Sequence, residues 1–153
     1  MKKLILALAL VINATPLEMP DPQDLANPRE VFCLYEALYY EARGEDKKGI
    51  IAVANVIRNR VYSRQFGGSY CEVIYQPKQF SFVHMLPSRN VPQPIKESYR
   101  FMYMVAEDTV KGKSVEIVEN NVLWYHATYV KPTWGMKLKR TTKIGKHIFY
   151  RKD

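Results

Sequence analysis

Glu41 is the carboxylate whose setting best suits acid chemistry. It stands in Tyr39-Tyr40-Glu41-Ala42-Arg43-Gly44-Glu45. Upstream, Val31, Leu34, Tyr35, Leu38 and Ala42 recur at the spacing of one helical face, predicting an amphipathic helix over 29–42 that Gly44 closes. On a wheel centred on Leu38, Glu41 falls about 60° from the middle of the apolar stripe, at the border of the core. Glu36 projects to the opposite face. Glu41 also occupies the last helical turn, where the macrodipole disfavours a negative charge. Partial burial and the helix C-terminus both push a carboxyl pKa upward, and a carboxyl still protonated near neutral pH is what a general acid requires. Arg43 works the other way, since it could hold Glu41 or Glu45 in an ion pair. Local physics alone leaves both readings open.

The other reactive side chains narrow the chemistry less. His84, His126 and His147 are far apart in sequence and form no HExxH or comparable spacing, so no metal and no cofactor is expected. Cys33 and Cys71 are the two cysteines. An oxidising compartment would permit one disulfide between them, closing a loop of about 39 residues; two buried thiols are the alternative.

Further elements must position these groups. A second helix begins at Asp46, a suitable N-cap, and runs to about Arg64 with Ile50, Val53, Ala54, Ile57 and Val61 as its apolar stripe. Gly67-Gly68 turns the chain. Residues 71–82 read as a brief helix followed by a loop, and 87–94 as loop. A third long helix starts near Pro94, with Ile95, Tyr99, Met102, Ala106 and Val110 on its buried face and Gly112 closing it. Beyond it, 115–118 and 122–125 read as strands around Glu119-Asn120-Asn121, and 137–143 and 147–151 as a hairpin around Ile144-Gly145-Lys146. The fold class is α+β, a helical front with a small antiparallel sheet behind.

The N-terminus carries a separate signal. Met1-Lys2-Lys3 precedes an unbroken apolar run from Leu4 to Ile12, and Ala14 offers a small-residue cleavage site, the anatomy of a secretory leader over 1–14. Nine apolar residues are too few to span a bilayer as a helix, which takes about 20. The proline-rich stretch 15–28 reads as a linker, leaving 29–153 as one domain. The net charge of +8 fits association with polyanions, and for an exported protein those are wall polymers and anionic lipids before nucleic acid.

YYEARGE with the GIIAVANVIRNRV that follows it closely resembles the SleB-like cell wall hydrolase family. The likeness continues in order through CEVIYQPKQFSF (71–82), WYHATYVKPTW (124–134) and IGKHIFYR (144–151). It implies a lysozyme-like or transglycosylase-like helical domain, with Glu41 at the family's catalytic glutamate. It places Gln79, Phe80 and Ser81 along the cleft near that acid, and Tyr125, His126 and Trp134 on later motif positions where they contact substrate; packing is an equal reading for Phe80 and Trp134. Glu45 and Arg43 support the acid. The implied partner is the peptidoglycan glycan strand. No nucleic acid is expected, membrane contact runs through the leader alone, and the chain acts as a monomer. With one placed carboxylate, the expected chemistry is lytic transglycosylation. Hydrolysis by a muramidase or glucosaminidase would need a second carboxylate roughly 5–9.5 Å away, for which Glu45 and Glu72 are nearest in motif context. A non-catalytic wall-binding module would not need Glu41 at all.

Overall fold

The computed structural model describes residues 26–86 and 88–153. The leader and residues 15–25 of the linker lie outside the described residues. Five helices come first: α1 (Pro28–Ala42), α2 (Lys47–Ser63), α3 (Tyr70–Tyr75), α4 (Phe82–Met85) and α5 (Glu97–Val110). Three strands follow: β1 (Val122–Ala127), β2 (Lys139–Ile144) and β3 (His147–Arg151), with a 3₁₀ turn at Thr133–Lys137 before β2. The strands form one antiparallel sheet in the order β1-β3-β2. The α+β reading therefore holds.

Both long N-terminal helices begin where side chains can satisfy free backbone donors. The Asn27 side chain accepts from Arg29 N at 3.0 Å, with Pro28 at the first helical position, and Asp46 Oδ1 accepts from Gly49 N at 2.7 Å. The expected stripe of α1 is buried, and its apolar face packs on α2, α3 and α5. A disulfide between Cys33 and Cys71, with Cα atoms 5.3 Å apart, ties α1 to α3.

α2 is the central element. It packs on α1, α3 and α5 on one side and on the sheet on the other, so Ala52 and Val56 join Val122, Ile144 and Phe149 in a second core cluster. A helix covered on two sides has little solvent face, which is why Asn55, Asn59 and Arg60 are buried along with its apolar stripe.

Four expectations need correction. Glu36 is only 2% exposed: α3 covers the face that α1 was expected to give to solvent, and Tyr75 Oη donates to Glu36 Oε2 at 2.5 Å while Arg89 Nε lies 3.3 Å from Oε1. Residues 115–118 are not a strand. The buried Asn55 side chain holds them as irregular chain, donating to Val115 O at 3.0 Å and accepting from Ile117 N at 2.7 Å. α5 starts at Glu97, and Ile95 is 76% exposed before it. The segment 133–137 is a 3₁₀ turn, so the hairpin's first strand starts at Lys139.

Candidate active site

Glu41, near the end of α1, opens into a cleft of about 620 Å³. One wall is the segment from Lys78 to His84, which follows α3 and runs into α4. The other comes from Tyr125, His126 and the following loop at Tyr129 and Val130, with His147 of β3. Glu41 is half-buried, and Tyr125 Oη donates to its Oε2 at 3.3 Å. Burial raises the Glu41 pKa above the ordinary carboxyl range; the Tyr125 hydrogen bond and the Arg60 charge oppose that rise without cancelling it. Burial, and after it the Glu41 charge, push the Tyr125 hydroxyl well above its ordinary value, so it stays a donor.

The structure brings Gln79, Phe80, Ser81, Tyr125 and His126 to the same cleft as Glu41. Phe80 is buried in the wall, where it serves packing and lining together. His126 has both ring nitrogens engaged. Nδ1 lies 2.8 Å from Ala127 O, a carbonyl that can only accept, so Nδ1 donates there, and Nε2 lies 2.9 Å from Tyr150 Oη. Trp134 does not line the cleft. Its indole stands edge-on behind His126 and Tyr150, at ring-centre distances of 5.7 and 5.6 Å, and so steadies the wall.

The flanking motif residues are also resolved. The Arg43 guanidinium lies 4.9 Å above the Tyr39 ring, and among the described residues no ion pair joins it to Glu41 or Glu45. Glu45 faces away from the cleft and holds the β2–β3 turn, accepting from Lys146 N at 3.2 and 3.1 Å, with His147 Nδ1 3.4 Å from its Oε1. Glu72 accepts from Gly68 N at 2.7 Å at the start of α3. Neither supplies a second carboxylate to the cleft.

Several lining residues escaped the sequence reading: Tyr40, Arg60, Lys78, His84, Tyr129 and His147. The three histidines, distant in sequence, all reach these walls. Among the described residues no three His, Cys, Asp or Glu side chains converge as a metal site would require. Burial lowers the His147 pKa despite the neighbouring Glu45, keeping that imidazole neutral. Arg60 had a signal, a charged residue one position from the buried stripe of α2. Tyr129 had none, because an exposed loop tyrosine carries no periodicity.

A helical domain with a three-stranded sheet beside its cleft and an acid in the floor is the lysozyme-like arrangement of glycan-cleaving catalytic domains. The chain belongs to the Cell Wall Hydrolase family, which it matches over residues 44–150; Glu41 lies three positions before the matched segment. It is 27% identical to a spore cortex-lytic enzyme of Bacillus cereus over 126 residues, covering 78% of this chain and 43% of that protein. It is 28% identical to the spore cortex-lytic enzyme of Bacillus subtilis strain 168 over 125 residues, covering 78% and 37%. The chain thus spans less than half the length of these relatives. Its fold matches the catalytic domain of the germination-specific lytic transglycosylase SleB from Bacillus anthracis (TM-score 0.65, 26% identity, 87% of this chain and 100% of that one). It also matches the catalytic domain of the Bacillus cereus SleB protein (TM-score 0.68, 28% identity, 82% and 92%).

Proposed function

We propose that this chain cleaves peptidoglycan glycan strands as a lytic transglycosylase, with Glu41 as acid and then base. One observation carries the choice of chemistry: among the described residues that line the cleft, Glu41 is the one carboxylate. A hydrolase of the usual kind needs two. A transglycosylase needs one, because the second nucleophile belongs to the substrate.

The steps balance without water. Protonated Glu41 gives its proton to the glycosidic oxygen as the bond from the muramic acid C1 breaks through an oxocarbenium-like state. The leaving sugar departs as an alcohol. The Glu41 carboxylate then takes the proton of the muramic acid C6 hydroxyl while that oxygen bonds to C1, closing a 1,6-anhydro ring and restoring the acid. Tyr125 Oη, donating to Glu41 Oε2, fixes the carboxyl rotamer through both steps. Gln79 and Ser81 offer polar groups to the sugar from the opposite wall. General acid–base help of this kind contributes typically about 10²–10⁴ in rate.

The leader reading completes the proposal by sending the domain to the wall, and the names of the relatives, which act on spore cortex, support a wall substrate. Among the described residues no helix is long and apolar enough to cross a membrane. The test is mass spectrometry of sacculi digested with the wild type and with Glu41→Gln. Anhydromuramic ends from the wild type, lost in the variant, are expected. Reducing muramic or glucosamine ends would mean hydrolysis instead, and equal products from both proteins would remove Glu41 from the mechanism.

A further inference from the structure

Arg60 is a buried cation with no carboxylate paired to it among the described residues. It is 6% exposed, yet it borders the cleft that holds Glu41. Its Nε donates to Leu123 O at 2.7 Å, and its guanidinium lies 5.1 Å from the Phe66 ring centre and 5.6 Å from that of Phe80. These contacts fix the group in place and neutralise none of its charge. Nη1 is buried without a hydrogen-bond acceptor among the described residues, and no ion pair joins Arg60 to a carboxylate.

A charge buried without a counter-ion is expensive, and an arginine does not escape the cost by losing its proton. Charges of this kind are useful where the opposite charge develops during a reaction, because a fixed group in a dry site needs no reorganisation at that moment. Glu41 supplies such a charge. Burial shifts it toward the protonated form; after donation it is a carboxylate in the same cleft. We infer that Arg60 is the standing counter-cation for the Glu41 carboxylate formed when the acid gives its proton to the substrate. The ion pair is then complete only in the intermediate, which favours the transition state leading to it over the resting state. Arg60 is in this sense a positioning residue acting through Glu41, and the inference rests on Glu41 being the acid.

The other titratable groups around Glu41 frame the test. Tyr125 and His126 face the cleft from β1, His147 from β3, Lys78 and His84 from the opposite wall, and Tyr40 from α1 itself. Tyr125 is held neutral as a donor, and none of the histidines is paired with Glu41.

The first measurement needs no Arg60 variant. In the wild type, carbon-detected NMR follows the Glu41 carboxyl and nitrogen-detected NMR the Arg60 guanidinium through a pH titration. The two should move with a common midpoint, and the Arg60 response should vanish in Glu41→Gln. Independent midpoints, or an Arg60 titration that survives in Glu41→Gln, would overturn the inference while leaving the proposed function standing. The second measurement compares Arg60→Met and Arg60→Lys. With the methionine, Glu41 should titrate at higher pH, the alkaline limb of kcat/KM should move up with it, and kcat should fall by about 10²-fold. The lysine should keep both limbs near their wild-type positions. A merely structural Arg60 would lower thermal stability and leave the limb unmoved. A rise in KM alone, abolished on substrate whose stem-peptide carboxylates are amidated, would show that Arg60 reads a substrate anion instead.

Discussion

Tyr125 Oη donates to Glu41 Oε2 across 3.3 Å, joining a strand residue to a helix residue 84 positions away in sequence. The bond crosses from α1 to the sheet at the floor of the cleft, so the acid's orientation depends on correct docking of the two layers. Tyr125→Phe removes the donor and keeps the ring against His147 and Phe149, where their centres lie 5.1 and 5.9 Å apart. The hydrogen bond lowers the Glu41 pKa, so its loss raises that value further. The expected outcome is a kcat lower by roughly tenfold, from losing a hydrogen bond to a charged group, with the alkaline limb displaced to higher pH. Steady-state turnover of labelled sacculi across pH checks both. An unchanged limb would mean that Tyr125 only fills space.

Glu41→Gln should also change stability in a pH-dependent way. Burial raises the Glu41 pKa in the native state above its unfolded value, so the native protein keeps this proton over a range where the unfolded chain releases it. Stability from this group therefore falls as pH rises from the ordinary carboxyl range, about 4, through the raised native value. Glutamine escapes that loss. Denaturant unfolding should show variant and wild type close together in acid, with the variant increasingly the more stable toward neutral pH. The buried neutral His147 contributes its own slope to both proteins and cancels in the difference. A gap that stays constant with pH would contradict a buried acid.

The helices were legible where periodicity carried them, as in α1 and α2, and where side chains announced their ends, as Asp46 does. The ordered motif blocks located most of the cleft. What escaped was tertiary. Glu36 reads as solvent-facing on an isolated helix, and only α3 folding back over α1 buries it against Tyr75 and Arg89. Residues 115–118 look like a strand by composition. Asn55 and Asn59, one turn apart on α2, supply the hydrogen bonds that a neighbouring strand would have given to 115–122. Two asparagines inside a helix were the available signal, since such residues sit poorly there unless their amides bind something. Trp134 shows the limit of motif transfer: the motif marks it as important, while the fold sets its indole beside His126 and Tyr150 and outside the cleft lining.

Gly145 and Glu45 make a second contact between α1's end and the sheet. Gly145 has φ +54°, and a Cβ there would run into the Glu45 carboxylate. Gly145→Ala therefore meets both a left-handed backbone and a displaced Glu45, which would release Lys146 N and the approach to His147. A loss of about 2 kcal/mol is expected, seen as a thermal midpoint lower by roughly 4–8 °C at this chain size. Because His147 lines the cleft, KM should change as well. Glu45→Ala in the same background should then add little further loss, since its partners are already gone.

The Cys33–Cys71 bridge joins the helix that carries Glu41 to α3, which precedes the opposite cleft wall. It closes a loop with a sequence separation of 38, for which the chain-entropy account gives a stabilisation of about 3–4 kcal/mol. Replacing both cysteines by alanine should lower the unfolding free energy by about that amount and leave kcat nearly unchanged in the folded fraction. The distinction matters because the bridge lies in the core cluster beneath α1, and neither cysteine lines the cleft. Denaturant titration of the oxidised wild type and the double variant, each paired with turnover well below its melting range, separates the two effects. A large fall in kcat with the fold intact would show instead that the bridge sets the cleft geometry.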